Sequence, residues 1–208
     1  VAPLDLHHTE GIEDLVAHWQ QRLGRIDVLV NNGGISQRAL AHEANMAVNR
    51  QVMEVNFFGQ IALTRALLPY MLAQGRGHLV VISSLTGKFG FPLRAAYAAS
   101  KHALHGFFES LYLETRNQGI RVTMVNPGRI ATAISLHALQ ADGRPQGSMD
   151  DTLAQGMSPA RCADLILRAV HRNRYEVTIG SFGQRTMVWL KRVWPRAFHF
   201  IAARIPPQ

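Results

Sequence analysis

Within residues 80–104, VVISSLTGKFGFPLRAAYAASKHAL, three side chains have the types and spacing that proton chemistry requires. Tyr97 and Lys101 are four apart, so on a helix they share a face, one turn from each other. A phenol of pKa about 10 is a poor base at neutral pH, but a neighbouring ammonium stabilises the phenolate and lowers that value. Proton transfer at an alcohol or carbonyl oxygen then becomes feasible. Ser84 ends an apolar run thirteen residues before Tyr97, and the intervening loop can fold its hydroxyl back toward the phenol. With no histidine base assigned to it, this serine reads as a hydrogen-bond donor to a carbonyl oxygen rather than as a nucleophile.

These residues need elements to position them. Apolar spacing alternates between the helical and the strand period along most of the chain. Residues 11–23 place Ile12, Leu15, Val16, Trp19 and Leu23 on one helical face, with Thr9 as the expected N-cap and Gly24 as the stop. A strand over 26–30 (IDVLV) runs into the turn Asn31-Asn32-Gly33-Gly34. One long helix is predicted over 46–74, then a strand over 78–83, a helix over 95–117 and a strand over 120–125 that ends at Asn126-Pro127-Gly128. Ser158-Pro159 opens a helix to about residue 171, and 175–179 reads as a fourth strand. Continuously apolar strands separated by helices imply an α/β fold, a doubly wound parallel sheet with helices on both faces. Its chemistry belongs at the carboxyl ends of the strands, in the turns that hold Asn31, Ser84 and Pro127.

The ordered set formed by Asn31-Asn32-Gly33-Gly34, Asn56 in VNFFG, Ser84, Tyr97-Ala98-Ala99-Ser100-Lys101 and Pro127-Gly128-Arg129-Ile130-Ala131-Thr132 resembles the classical short-chain dehydrogenase/reductases. The family more often has Ala at the position of Gly33. Order and spacing match from residue 4 to about residue 135. The resemblance implies a Rossmann-like fold and hydride exchange between NAD or NADP and an alcohol/carbonyl pair, the cofactor supplying the hard chemistry. It implies Tyr97 as general acid/base and Lys101 as the residue that lowers its pKa and binds the nicotinamide ribose. Ser84 would orient the substrate carbonyl, and Asn56 would complete a proton relay by holding a water through its backbone where the helix is distorted. By the same carry-over, Asp5 reaches the adenine edge, Asn31 and Gly33 border the adenosine ribose, and the backbone of Pro127, Gly128, Ile130 and Thr132 faces the nicotinamide carboxamide.

The family's first two strands and Gly-rich turn would precede Leu4 and are absent from this sequence. Gly75 and Gly77 do not substitute, since they stand before a strand, whereas a pyrophosphate cradle follows a strand and opens a helix. The strand at 26–30 would pair with the absent first strand, and its edge is expected to be bare. The sequence is therefore expected to be the retained part of a longer chain. A family-derived binding or membrane-surface scaffold without turnover is the alternative if no such part exists.

The 208 residues carry 22 Lys and Arg against 14 Asp and Glu, a net charge of +8. Such an excess alone would point to nucleic acid or an anionic membrane. It is confined to the last quarter: no carboxylate follows Glu176, and no nucleic-acid motif accompanies the charge. Residues 1–180 are expected to form the dehydrogenase domain and 181–208 a basic amphipathic extension. Over 185–205, Met187, Leu190, Trp194, Phe198, Ile201 and Ile205 recur at helical spacing beside the stripe Arg185, Arg192, Arg196 and His199. Pro195 kinks this helix or starts another. The composition suits packing over a hydrophobic substrate site or on another subunit, and equally contact with a membrane surface.

One cysteine, Cys162, leaves no intramolecular disulfide and fits a reducing compartment, and no apolar run is long enough to span a bilayer, so the expectation is a cytoplasmic protein, membrane-associated at most. The ten histidines show no ligand spacing, and no metal site is expected. Phe89, Phe91 and Leu93 beside Ser84 favour an apolar substrate. The helices at 46–74 and 95–117 are the surfaces through which related enzymes form dimers and tetramers. Residues 140–156, polar and Gly-containing, read as a mobile lid or an exposed linker.

Overall fold

The computed structural model describes residues 3–205. Helix α1 (Ile12–Leu23) begins after Gly11, whose φ of 79° is a left-handed conformation, and it has no side-chain cap. Thr9 is thus not the N-cap expected of it; only its carbonyl engages the helix, accepting from the Ile12 N–H at 3.3 Å. Strand β1 (Val28–Asn31) starts two residues later than the apolar pattern suggested.

The long helix expected over 46–74 is three pieces. α2 (Met46–Met53) starts at Asn45, whose side chain accepts from the Val48 N–H. A π-helical turn over Glu54–Phe58 follows, and α3 (Gly59–Ala73) completes the run. Then come β2 (Gly77–Ile82), α4 (Ala95–Thr115), β3 (Ile120–Pro127), the short α5 (Asp151–Ala154), α6 (Pro159–His171), β4 (Glu176–Ile179), α7 (Phe182–Val193) and α8 (Pro195–Ala202). Ser158 caps α6 with its hydroxyl, as the Ser-Pro signal implied. Pro195 opens a separate helix, which suits a ring that fixes φ and lacks a donor at the first helical position.

The four strands form one parallel sheet in the order β1-β2-β3-β4. Alternation along β2 divides the core. Leu79 and Val81 face α1, α3 and α4, where Val16, Leu67, Met71, Leu104 and Phe108 complete the larger cluster. Val80 and Ile82 face α6, meeting Cys162 and Ile166 together with Val125 and Ile179. Helices thus cover both faces of the central strands, which is the Rossmann-like doubly wound arrangement. β1 differs: its Leu29 and Asn31 lie against α3, but Val28 and Val30 are 47% and 54% exposed, and its outer edge pairs with nothing among the described residues.

Candidate active site

The carboxyl ends of β1, β2 and β3 open into a cavity of about 580 Å³. Ser84, Tyr97 and Lys101 stand at one end of it, with Gly34 from the β1 turn and Pro127, Gly128, Ile130 and Thr132 from the β3 turn. Phe89, Phe91, Met187 and Phe198, which pack into one apolar cluster, form the other end.

Ser84 follows β2 in extended conformation. Its oxygen accepts from the Thr86 N–H at 3.2 Å and the Thr86 hydroxyl at 3.0 Å, so the serine's own proton is left to be donated. Burial pushes the Tyr97 phenol above its ordinary pKa of 10, while hydrogen bonding with Ser84 and the charges of Arg94 and Arg38 pull it back. Lys101 lies one turn on, its Nζ 5.7 Å from the Tyr97 ring centre and donating to the Ile82 carbonyl at 2.9 Å. Burial lowers its pKa to about 8, so it is mostly cationic at neutral pH. The guanidinium charges of Arg94 and Arg38 act on the phenol as well.

Neither arginine was legible as a site residue. Arg38 follows the β1 turn, Arg94 stands just before α4, and both converge on Asp150 from the 140–157 segment. Arg38 donates its Nε to Asp150 Oδ2 at 3.0 Å and also pairs with it through Nη2; Arg94 reaches the same oxygen at 3.2 Å. Burial would raise the Asp150 carboxyl, but hydrogen bonds from Arg38 and Gln146 and the two guanidinium charges outweigh it and hold the pKa low. Arg94 is lowered to about 10 by burial first and by Arg38 second. The only sequence signal was Arg94's place one turn before Tyr97. Residues 140–156 meet the site: Asp150 pairs with Arg38 and Arg94, and Thr152 and Leu153 line the cavity.

Asn56 sits in the π-helical turn, where the helix is distorted as the resemblance required. Its side chain is wholly buried, accepting from the Ile35 N–H at 2.8 Å and donating to the Ile35 carbonyl at 2.9 Å and to Ser100 Oγ at 3.0 Å. Ser100 in turn donates to the Tyr97 carbonyl at 2.8 Å, so one chain of hydrogen bonds links the β1 turn to the α4 turn carrying the phenol. Behind Lys101, His105 bonds Asn126 at 2.9 Å, Asn126 donates to Glu176 at 2.8 Å, and Lys88 pairs with Glu176 at 2.8 Å.

A nicotinamide-type group fits this end of the cavity. A Cβ on residue 34 would lie 3.0 Å from Asn56 Oδ1 and 3.6 Å from Lys101 Nζ, so glycine there keeps open the space beside the ammonium. Three of the residues assigned to the cofactor lie off the cavity wall. Asp5 is exposed and accepts from the His7 N–H at 2.9 Å. Asn31 is buried, donating to Thr64 Oγ1 at 2.9 Å and leaving its own oxygen without a partner. Gly33 backs onto Leu6, whose Cδ1 would stand 2.5 Å from an added Cβ.

The family model described as short chain dehydrogenase matches residues 1–142. The chain belongs to this family. A dehydrogenase/reductase SDR family protein 7-like of Drosophila melanogaster is 41% identical over 204 residues, covering 98% of this chain and 63% of that relative. The chain therefore spans under two thirds of that relative's length. A crystal structure of a short-chain dehydrogenase from Streptomyces avermitilis is 31% identical with a TM-score of 0.80, covering 98% of this chain and 79% of that one. A carveol dehydrogenase from Mycobacterium avium in complex with NAD is 28% identical with a TM-score of 0.61, over 65% of this chain and 50% of that one.

Proposed function

We propose that this chain carries the catalytic and substrate-binding part of an NAD- or NADP-dependent oxidoreductase that interconverts a secondary alcohol and its ketone, with an apolar substrate. The observation that carries the reading is the meeting of Ser84, Tyr97 and Lys101 at one end of a cavity whose far end is aromatic and aliphatic. The NAD held by the carveol dehydrogenase agrees with it.

The nicotinamide cofactor supplies the hydride chemistry when bound. Lys101, Gly34 and the Pro127 to Thr132 backbone would hold its nicotinamide end. Ser84, its lone pairs taken by Thr86, donates its proton to the substrate oxygen, and Tyr97 gives or takes the proton at that same oxygen. Lys101 and the Arg94/Arg38 pair stabilise the phenolate when the proton has left. A second proposal concerns assembly: α3 and α4 form the contact of a homodimer or homotetramer, and Leu113 is an exposed apolar residue on α4 that such a contact would cover. A scaffold without turnover would have no use for Ser84, Tyr97 and Lys101 meeting on one cavity wall.

The test is Tyr97→Phe in the full natural protein. Turnover of a ketone with NADH or NADPH falls by about 10²- to 10⁴-fold, while cofactor affinity measured by nicotinamide fluorescence changes little. Undiminished turnover refutes the mechanism.

A further inference from the structure

The outward surface of α7 and α8 is aromatic and cationic at once. Phe182 is 86% exposed, Trp189 61%, and Trp194 and Phe200 63% each. Single exposed apolar residues are ordinary, but four large aromatic side chains along α7, α8 and the Trp194 joint between them are an apolar load that water disfavours. Around them are the cations of this stretch, with no carboxylate anywhere after Glu176. Lys191 lies over the Phe198 ring and Arg204 over the Phe200 ring. Arg185, Arg192 and Arg196 have no ion-pair partner among the described residues.

We propose that the α7–α8 face lies on an anionic bilayer surface, its aromatic side chains in the interface and its arginines among the headgroups. The helices have 12 and 8 residues, and no helix among the described residues is long and apolar enough to cross a membrane, so the pair rests on the bilayer rather than spanning it. Charge decides against a second copy as the occupant. A two-fold contact through this face would set two cationic surfaces against each other with no carboxylate between them, whereas anionic headgroups neutralise the arginines.

The opposite side of the same helices gives the docking a consequence. Met187, Phe198 and Ala202 line the catalytic cavity. A roof whose outer side sits at headgroup level brings the cavity to the edge of the acyl chains. An apolar substrate then passes between lipid and cavity without crossing bulk water. This last step rests on the oxidoreductase reading; the docking itself does not.

The test uses the full natural protein with vesicles of phosphatidylcholine alone and with about 30% phosphatidylglycerol, at low and high salt. Two variants keep the readout on these helices whatever else the full chain carries: Trp189→Ser with Trp194→Ser, and Arg185→Gln with Arg192→Gln and Arg196→Gln. Co-sedimentation with the anionic vesicles weakens with salt and falls roughly fivefold for each arginine removed. Lipids brominated near the headgroup quench the tryptophan emission of the wild type. Equal sedimentation of wild type and both variants, or absence of quenching, overturns the proposal. So does a halved mass by light scattering in the tryptophan variant, which assigns the patch to a second copy. For substrate passage, both variants reduce a short water-soluble ketone at the wild-type rate and a long-chain ketone dissolved in vesicles about tenfold more slowly. Equal rates on the two ketones overturn the passage alone. Inactivity of the wild type on both, with salt-sensitive docking intact, counts against the oxidoreductase reading and leaves the docking standing.

Discussion

The two ends of the cavity are built on opposite principles. At the polar end each functional group is held by several directional bonds: Asn56 by Ile35 and Ser100, Ser84 by Thr86, and Arg38 and Arg94 by one carboxylate. At the apolar end the Phe198 ring meets Phe89 at a tilt of 53° with ring centres 5.1 Å apart, and the roof is otherwise fixed by packing of α7 and α8 on Leu85, Phe89 and Phe91. Directional bonds fix angles, which proton transfer needs. Apolar packing fixes volume, and it allows one roof to fit more than one chain.

The contrast can be broken most severely at Asp150. Asp150→Ala leaves two mostly buried guanidinium groups without their shared carboxylate, and stability is expected to fall by about 3–5 kcal/mol, read by denaturant unfolding. Asp150→Asn keeps the shape and removes only the charge. Tyr97 then faces two uncompensated cations, its pKa falls, and its limb of the pH–rate profile moves to lower pH. An unmoved limb would show that the arginine pair does not act on the phenol.

A smaller effect is expected at the other end. Phe198→Ala costs about 3 kcal/mol, and it raises KM for an apolar ketone while kcat for a small soluble one holds. A fall in kcat on both substrates would mean that the roof positions the polar end as well, and the two ends would not be separable.

The least effect is on the acid side of the stability curve. His105 is lowered from 6.5 to about 4, mainly by burial and next by the Lys88 charge. Between those values the unfolded chain binds the proton and the folded one does not, so stability falls as pH drops from 6.5 toward 4. His105→Gln is expected to flatten that slope by about 1–2 kcal/mol, reduced from full linkage because the ring is partly exposed. A series of thermal midpoints across this range measures it.

The same contrast governs what the sequence disclosed. Tyr97 and Lys101 are legible because one helical turn joins them, and Ser84 because it ends an apolar strand thirteen residues earlier. The Rossmann-like order was legible in the alternation of periods. Asp150 was not: it meets Arg38 across 112 positions, and in the sequence it is one polar residue in a Gly-containing stretch. The unpaired edge of β1 followed from the matching of motif order, whereas the exposed face of Val28 and Val30 did not, since in sequence they look like any buried strand. The break in the helix over 46–74 came from the resemblance at Asn56 and not from periodicity, because one extra residue in a turn scarcely alters an apolar pattern read over a long window.

That extra residue sets the rotational phase of everything after it. Val48 and Val52 of α2 pack with Ala96 and Leu139, whereas Leu63, Leu67 and Met71 of α3 pack on the sheet. An α-helix turns about 100° per residue, so deleting one residue from Glu54–Phe58 would swing the α3 stripe off the sheet while leaving the α2 stripe in place. The π turn lets a single helical run keep two cores in step, and it sets Asn56 at the joint between them.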